Sequence, residues 1–387
     1  MEVPCRAPRH ATPARDDCVM KTVRHMIYGE VITAVAFTTL AFLALFSFID
    51  FVDELRWVNT TGPQGYQVRH ALAFVATLAV SSLYELLPIT VLIGSVFVMA
   101  RMAQNSEFTV LRTSGLDPWR ALRTMLGLGL VFTLVTFAIG DFLVPLADRA
   151  GQFLRAQYLR EITVGQTGAW LREKQPERSF WVNVGTLQSD GNMGRIRIIE
   201  YRPDGHLSSI TEAARGEFSG ADAWILQDVK RTEFSDKLGD NDRVRSVRLK
   251  EYKWSTSLTS EMAAVALLKP DRMPIIDLFQ FMRHLDANDQ ASQRYAIEFW
   301  RKLFYPLSCM VMVVLALPFA YLHFRTSGIS SYVFIGVMSG ISFFLLNNLF
   351  GHFGNLRNWW PWLAAAAPGL IYSVLSLSAF TWLVLRR

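Results

Sequence analysis

The chain alternates between long apolar stretches and one polar block. Apolar runs lie at about 31–52, 81–103 and 122–144, then again at about 300–323, 329–350 and 360–385. About 20 mostly apolar residues suffice to cross roughly 30 Å of hydrocarbon, so each run predicts a membrane-spanning helix. Between the third and fourth runs the periodicity changes from helical to two. Ser179-Phe180-Trp181-Val182-Asn183-Val184, Arg195-Ile196-Arg197-Ile198 and Arg243-Val244-Arg245-Ser246-Val247-Arg248-Leu249 alternate apolar and polar positions. Turn-forming clusters separate them at Ser189-Asp190-Gly191-Asn192, Pro203-Asp204-Gly205, Ser219-Gly220 and Gly239-Asp240-Asn241. Short alternating runs with breakers predict an antiparallel β sandwich or jellyroll. The expected fold is a polytopic α-helical membrane protein with six transmembrane helices and an inserted β-jellyroll. After the jellyroll, Pro274 to His284 predicts a short amphipathic helix leading to the fourth span.

Composition sharpens this division. The 387 residues are 51% hydrophobic and 19% charged, below the roughly 25% usual in soluble domains. From Leu303 onward the charges are Arg325, Arg357, Arg386 and Arg387, too few to cover a soluble surface. Disorder, collagen and a disulfide scaffold are excluded as well. Of Cys5, Cys18 and Cys309, none lies in the polar block, which must fold without disulfides.

Basic residues in short loops mark the cytoplasmic side. Arg6, Arg9, Arg15, Lys21 and Arg24 precede the first span, Arg101, Arg112, Arg120 and Arg123 follow the second, and Arg386 and Arg387 end the chain. The opposite loops carry Arg56, Arg69 and Arg357. Both termini are then expected inside and the polar block outside, with Trp359, Trp360 and Trp362 as an outer aromatic belt. The net charge of +6 needs no nucleic acid to explain it. Residues 1–19 read as a cytoplasmic tail without the apolar core of a signal peptide, and Met20 opens a basic lead-in that is a candidate start. The expected organisation is a first membrane half over 20–147, a periplasmic region over 148–296 with the jellyroll at about 165–259, and a second membrane half over 297–387.

The chemistry of reacting groups is absent from the pattern. There is no Gly-Lys dipeptide for a Walker A loop, no histidine pairing at metal-ligand spacing and no Gly-x-Ser-x-Gly elbow. Neither a cofactor nor a metal is expected in the chain itself. Asp50, Glu85 and Asp141 are carboxylates near or within spans, where such groups pair, snorkel or serve transport. Asn347 and Asn348 read as interhelical hydrogen-bonding groups, and Gly336 with Gly340 forms a Gly-x-x-x-Gly that permits close helix approach.

The loop after the second span is more telling. In residues 104–115 Ser106 is placed to cap a helix, Glu107 falls in its first turn, Phe108 and Leu111 share a face, and Gly115 stops it. Such an amphipathic helix either lies in the headgroups or seats in a separate ATPase subunit and carries its motion into the membrane. In the second case Glu107 pairs with an arginine there.

Three spans, an external β domain and three spans resemble the permease subunits of the lipopolysaccharide exporter, the LptF/LptG permease family, and LptG-like chains in particular. The resemblance rests on Phe51-Val52-Asp53-Glu54-Leu55, Met102 through Gly115, Gly168-Ala169-Trp170-Leu171 and Ser339-Gly340-Ile341-Ser342-Phe343, and it extends over about Lys21 to Arg387. It implies an inner-membrane chain paired with an LptF-like subunit, driven by an LptB-like ATPase dimer that binds ATP, and accompanied by an LptC-like single-helix subunit. Lipopolysaccharide would pass toward an LptA-like periplasmic bridge. By the same resemblance Glu107, with Phe108, Leu111 and Arg112 around it, carries the ATPase coupling. Arg56 and Arg155 match positions that meet the lipid's phosphates, and Arg149 joins them by position. Gly336 and Gly340 would pack a lateral gate between the first span of one subunit and the fifth of the other. One departure is Asp50, an acid where LptG-like chains can carry a lysine. Two other readings fit the pattern: a permease of another ABC exporter of lipids or lipoproteins, and a non-transporting membrane-anchored sensory or structural protein.

Overall fold

The computed structural model describes residues 12–58, 66–113, 115, 117–159, 169–175, 177–187, 192–219, 223–234, 244–256, 258, 270–321 and 329–385. The helices are α1 (Thr12–Glu54), α2 (Val68–Gln104), α3 (Glu107–Thr113), α4 (Pro118–Ala138), α5 (Val144–Leu159), α6 (Ile275–Ala287), α7 (Gln293–Phe304), α8 (Leu307–Ala316), α9 (Ile329–Leu356) and α10 (Pro361–Leu385). Five helical segments among the described residues are long and apolar enough to cross a membrane: Val23–Trp57, Val68–Gln104, Pro118–Gly151, Ser330–Leu356 and Pro361–Trp382. The pair Gln293–Phe304 and Leu307–Tyr321 supplies a sixth when taken as one span, bent by 48°. Its break falls at Tyr305-Pro306, where proline cannot donate the backbone bond that would continue the helix. Between α4 and α5 the chain winds a π turn, Ile139–Leu143, centred on Asp141.

The chain divides into two compact units. The first comprises residues 1–49, 79–140 and 300–387. Its core is a single apolar cluster to which α2 contributes Val91, Val96 and Met99, α4 contributes Met125 and Leu128, and α8 contributes Cys309, Met312 and Val313. The helices meet closely: a Cβ on Gly129 of α4 would stand 2.8 Å from the Met310 Cα of α8. α1 is far barer, with Phe37 75% and Leu40 67% exposed along an apolar stripe. Trp359, Trp360 and Trp362 are exposed where α9 turns into α10.

The second unit comprises residues 50–78 and 141–299. The turn between the first two spans therefore clusters with the polar block. Strands β1 (Ala169–Gln175), β2 (Arg178–Leu187), β3 (Met193–Tyr201), β4 (Leu207–Phe218), β5 (Ala223–Phe234) and β6 (Val244–Ser255) form one antiparallel sheet in the order β1-β2-β3-β4-β5-β6. The strands pair in chain order, so the described part of the expected jellyroll is an up-and-down meander. Alternation places Phe180, Val182 and Val184 of β2 beside Ile196 and Ile198 of β3 on one face. α6 covers that face: Phe281 and Leu285 are buried in the sheet's core with Trp224, Trp254 and Leu258. The remaining void lined by these side chains is about 10 Å³, too small for more than a water molecule. Glu200 is buried on the same face, where it accepts hydrogen bonds from Arg178 Nη1 at 2.7 Å, Ser209 Oγ at 2.7 Å and Arg231 Nη2 at 3.3 Å. A buried carboxylate is tolerated because these donors replace water.

Candidate functional site

The loop after the second span folds as the alternation of its residues dictates. Phe108 is buried and meets the Tyr321 ring edge-on at 5.0 Å, and Leu111 packs on the same core. The Arg112 guanidinium lies over that ring at 5.3 Å. Tyr321 and Trp119 both contact Phe380 of α10, at 6.4 and 6.2 Å. Gly115, with φ of 102°, reverses the chain in a conformation that side chains disfavour, and Asp117 caps α4 by accepting the Trp119 N–H at 3.3 Å.

Two details differ from the sequence expectation. Ser106 adopts φ of 60° and does not act as an ordinary N-cap; Asn105 instead donates to Glu107 Oε1 at 3.2 Å. The apolar pair Phe108 and Leu111 anchors α3 to its own bundle, so the surface left for a partner is the opposite one. Val110 of α3 is 61% exposed, and Trp119 at the start of α4, resting against Phe380, is 69% exposed. An open depression of about 540 Å³ adjoins them, lined by Thr109, Arg112, Thr113, Gly115, Asp117 and Pro118. Val110 and Trp119 were not singled out from sequence, although Trp119 next to Pro118 at a helix start is an apolar residue in an otherwise polar turn.

At the other end of α1, Arg56 lies in the turn Leu55–Trp57 with its side chain 77% exposed, paired with Asp53 at 2.8 Å. Glu54 beside them is buried and accepts the Tyr66 hydroxyl at 2.8 Å, closing the turn between the first two spans. Arg149 lies on α5, 3.5 Å from Asp277 of α6. Arg155 falls near the end of α5, and its side chain lies outside the described residues. The structure thus gives Arg56 and Arg149 acidic neighbours within the chain and leaves both guanidinium groups largely in solvent. Asp50 has no ion-pair partner among the described residues.

The other membrane polar groups have particular duties. Asp141 Oδ1 accepts the Ile275 N–H at 2.9 Å. The Glu85 side chain is exposed, while its backbone carbonyl takes the Tyr305 hydroxyl at 2.6 Å, one turn before Pro88. Asn347 is buried, and its carbonyl accepts Arg301 Nη2 at 2.9 Å. In the sequence Arg301 is masked by the charged block that it borders; its signal is an arginine in the first turns of an apolar run. Gly336 and Gly340 of α9 face α2 of the same chain: added Cβ atoms would stand 3.5 Å from Val96 and 2.8 Å from Ile89 Cγ2. No cluster of three or more His, Cys, Asp or Glu placed to hold a metal occurs among the described residues.

Residues 25–386 match the family described as "Lipopolysaccharide export system permease LptF/LptG". The chain belongs to the LptF/LptG permease family. Similar chains include the lipopolysaccharide export system permease protein LptG of Escherichia coli (strain K12), 25% identical over 360 residues, which span 92% of this chain and 96% of that protein. The protein of the same name from Haemophilus influenzae is 23% identical over 372 residues, 95% of this chain and 99% of that one. Membership in this family makes the chain a transport protein of the lipopolysaccharide export type. The helices long enough to span a membrane and the six-stranded antiparallel domain fit that membership.

Proposed function

We propose that this chain is the permease subunit of an ATP-driven exporter that extracts lipopolysaccharide from the periplasmic leaflet of the inner membrane. It pairs with an LptF-like subunit, is accompanied by an LptC-like single helix and delivers the lipid toward an LptA-like bridge. ATP is bound and hydrolysed by an LptB-like dimer, and this chain holds no cofactor of its own. The family match over residues 25–386 carries the reading. Six spans with both termini cytoplasmic and the β domain periplasmic complete it.

In this mechanism α3 is the lever. Phe108 and Leu111 root it in the bundle, Glu107 offers a charge to the ATPase, and Val110, Trp119 and the depression beside them form the seat. Rotation of the ATPase pair is felt by α2 and α4, which flank α3. Arg56, Arg149 and Arg155 would present guanidinium forks to phosphate as the lipid enters. Entry runs along the exposed stripe of α1. Gly336 and Gly340 serve the gate indirectly, by holding α9 close against α2 so that its other face, with Phe334, Leu345 and Leu349, is left for the partner.

Purification with the neighbouring subunits tests the reading. An ATPase that copurifies with the natural chain and dissociates from Glu107→Ala is expected, with lipopolysaccharide crosslinking from positions 56 and 155. Retention of the ATPase by Glu107→Ala would remove the coupling role, and crosslinks to phospholipid alone would favour an exporter of other lipids.

A further inference from the structure

The register of the sheet puts Lys230 of β5 directly opposite Arg248 of β6. Both are exposed, and neither has an ion-pair partner among the described residues. Like charges directly opposite on one sheet face repel, so a chain free to vary would be expected to relieve the pair. The surroundings add to the imbalance. On the face turned away from the core Arg172, Arg195, Arg197, Arg215, Lys230, Arg248, Lys250 and Lys253 outnumber Glu212, Glu217, Asp228 and Glu251. Glu212 is already engaged by Arg197 through Nε at 3.1 Å and Nη2 at 2.7 Å.

Aromatic surface accompanies the cations. Trp170 of β1 is exposed, and the Arg172 guanidinium lies 5.4 Å over the Trp181 ring. One cross-strand row runs Trp170, Asn183, Arg197, Glu212, Lys230, Arg248. With neighbouring strands about 4.8 Å apart, that row is roughly 24 Å long. A ligand that used both ends would be extended and polyanionic, with rings that stack on tryptophan. A free phosphate ion satisfies neither length nor stacking.

We infer that this outer sheet face, centred on Lys230 and Arg248, binds the phosphorylated saccharide part of the exported lipid. The inference rests on the lipopolysaccharide reading above. It assigns the β domain a holding role for the cargo's polar end, outside the sheet, while the core-facing side stays filled by its own side chains.

The test uses the purified complex with natural partners and deacylated lipopolysaccharide, which carries the phosphorylated saccharide without acyl chains. Lys230→Gln/Arg248→Gln should weaken its binding roughly tenfold or more, as loss of charge-assisted contacts does. Binding by the natural complex should fall steeply with salt. Thermal stability of the double variant should equal or exceed that of the natural chain, which separates lost binding from lost folding. Trp170→Ala, at the far end of the row, should weaken the saccharide without changing affinity for inorganic phosphate. Equal saccharide binding by natural and variant complexes overturns the inference and leaves the export reading standing. Loss confined to inorganic phosphate, or to phosphatidylglycerol vesicles, also overturns it, in favour of a plain anion site or a membrane-facing surface. Failure of the natural complex to bind intact lipopolysaccharide at all would instead remove the reading on which it rests.

Discussion

Asp141, in the π turn between α4 and α5, accepts the backbone N–H of Ile275 at 2.9 Å, across 134 positions of sequence. Ile275 is the first residue of α6, whose proline N-cap makes no side-chain capping bond. A carboxylate at this place satisfies an orphan amide and faces the positive end of the helix dipole. Asp277 in the same first turn holds Arg149 of α5 at 3.5 Å. The carboxylate that sequence alone left open between transport and pairing thus ties the π turn ahead of α5 to the helix under the β sheet.

Asp141→Ala should accordingly cost about 1–2 kcal/mol of stability, the range for a lost helix cap, and Asp141→Asn less because an acceptor remains. Hydrogen exchange at the Ile275 amide is the direct measurement. Unchanged protection of that amide in the alanine variant would show that the contact does not hold the helix.

Much of this architecture was legible because it depends on near neighbours. The period-two run Arg195 to Ile198 became β3, Pro274 marked the start of α6, and Gly115 stopped α3 as its position foretold. The long apolar runs became helices long and apolar enough to cross a membrane, a property that depends on length and hydropathy alone. What stayed illegible depends on partners distant in sequence. Asp141 and Ile275, Arg301 and Asn347, and Glu54 with Tyr66 each need the fold before they meet. The outward surface beside α3 was hidden for the opposite reason: an amphipathic pattern tells that Phe108 is sided, yet not that its side is the bundle's own.

Arg301, Asn347 and Gly351 form a testable unit. Arg301 donates to the Asn347 carbonyl, and a Cβ on Gly351 would collide with the same guanidinium. Arg301→Ala should destabilise the bundle by about 1–3 kcal/mol, since it removes a charged hydrogen bond from a low-dielectric site, and Gly351→Ala should cost less, since the added Cβ meets the far end of a flexible side chain that can shift. The double variant should be little worse than Arg301→Ala, because the guanidinium that the added Cβ crowds is then gone. Thermal unfolding of the complex supplies the cycle. Additive losses would mean that the glycine and the arginine act separately.

His284 on α6 gives the β domain a pH response. Burial lowers its pKa below the usual histidine value, and the carboxylate of Glu173 raises it again in part. Phe281 stacks on the ring at 6.5 Å, and Asn288 donates to the His284 carbonyl at 2.9 Å. The folded chain therefore resists a proton that the unfolded chain accepts below about pH 6.5. Stability should be level above that value and decline as pH falls from it toward the lowered folded value. His284→Gln should flatten the slope in that window alone. A natural chain whose melting temperature stays constant from about pH 7 to about pH 5 would contradict the assignment.

The free edge of β1 carries the last prediction. Among the described strands β1 pairs only with β2, and its outward amides would offer a template for another strand. Asn288 Oδ1 accepts the Lys174 N–H at 2.8 Å and Gln290 Oε1 accepts the Arg172 N–H at 3.0 Å, two contacts spaced as a seventh strand would make them. Asp289 between them adopts φ of 53° and pairs with Lys174 Nζ at 3.0 Å, which holds its carboxyl below the usual range. Two side-chain amides thus stand in for a backbone and close the edge against strand addition. Asn288→Ala/Gln290→Ala should leave both donors unmet at about 1 kcal/mol each, and should make the purified protein self-associate as its concentration rises. Light scattering on the natural and doubly substituted chains reads the outcome. Self-association should be suppressed again by placing a proline at position 172, which removes one of the exposed amides. A variant that stays as monodisperse as the natural chain would show that the edge is protected by something other than these two amides.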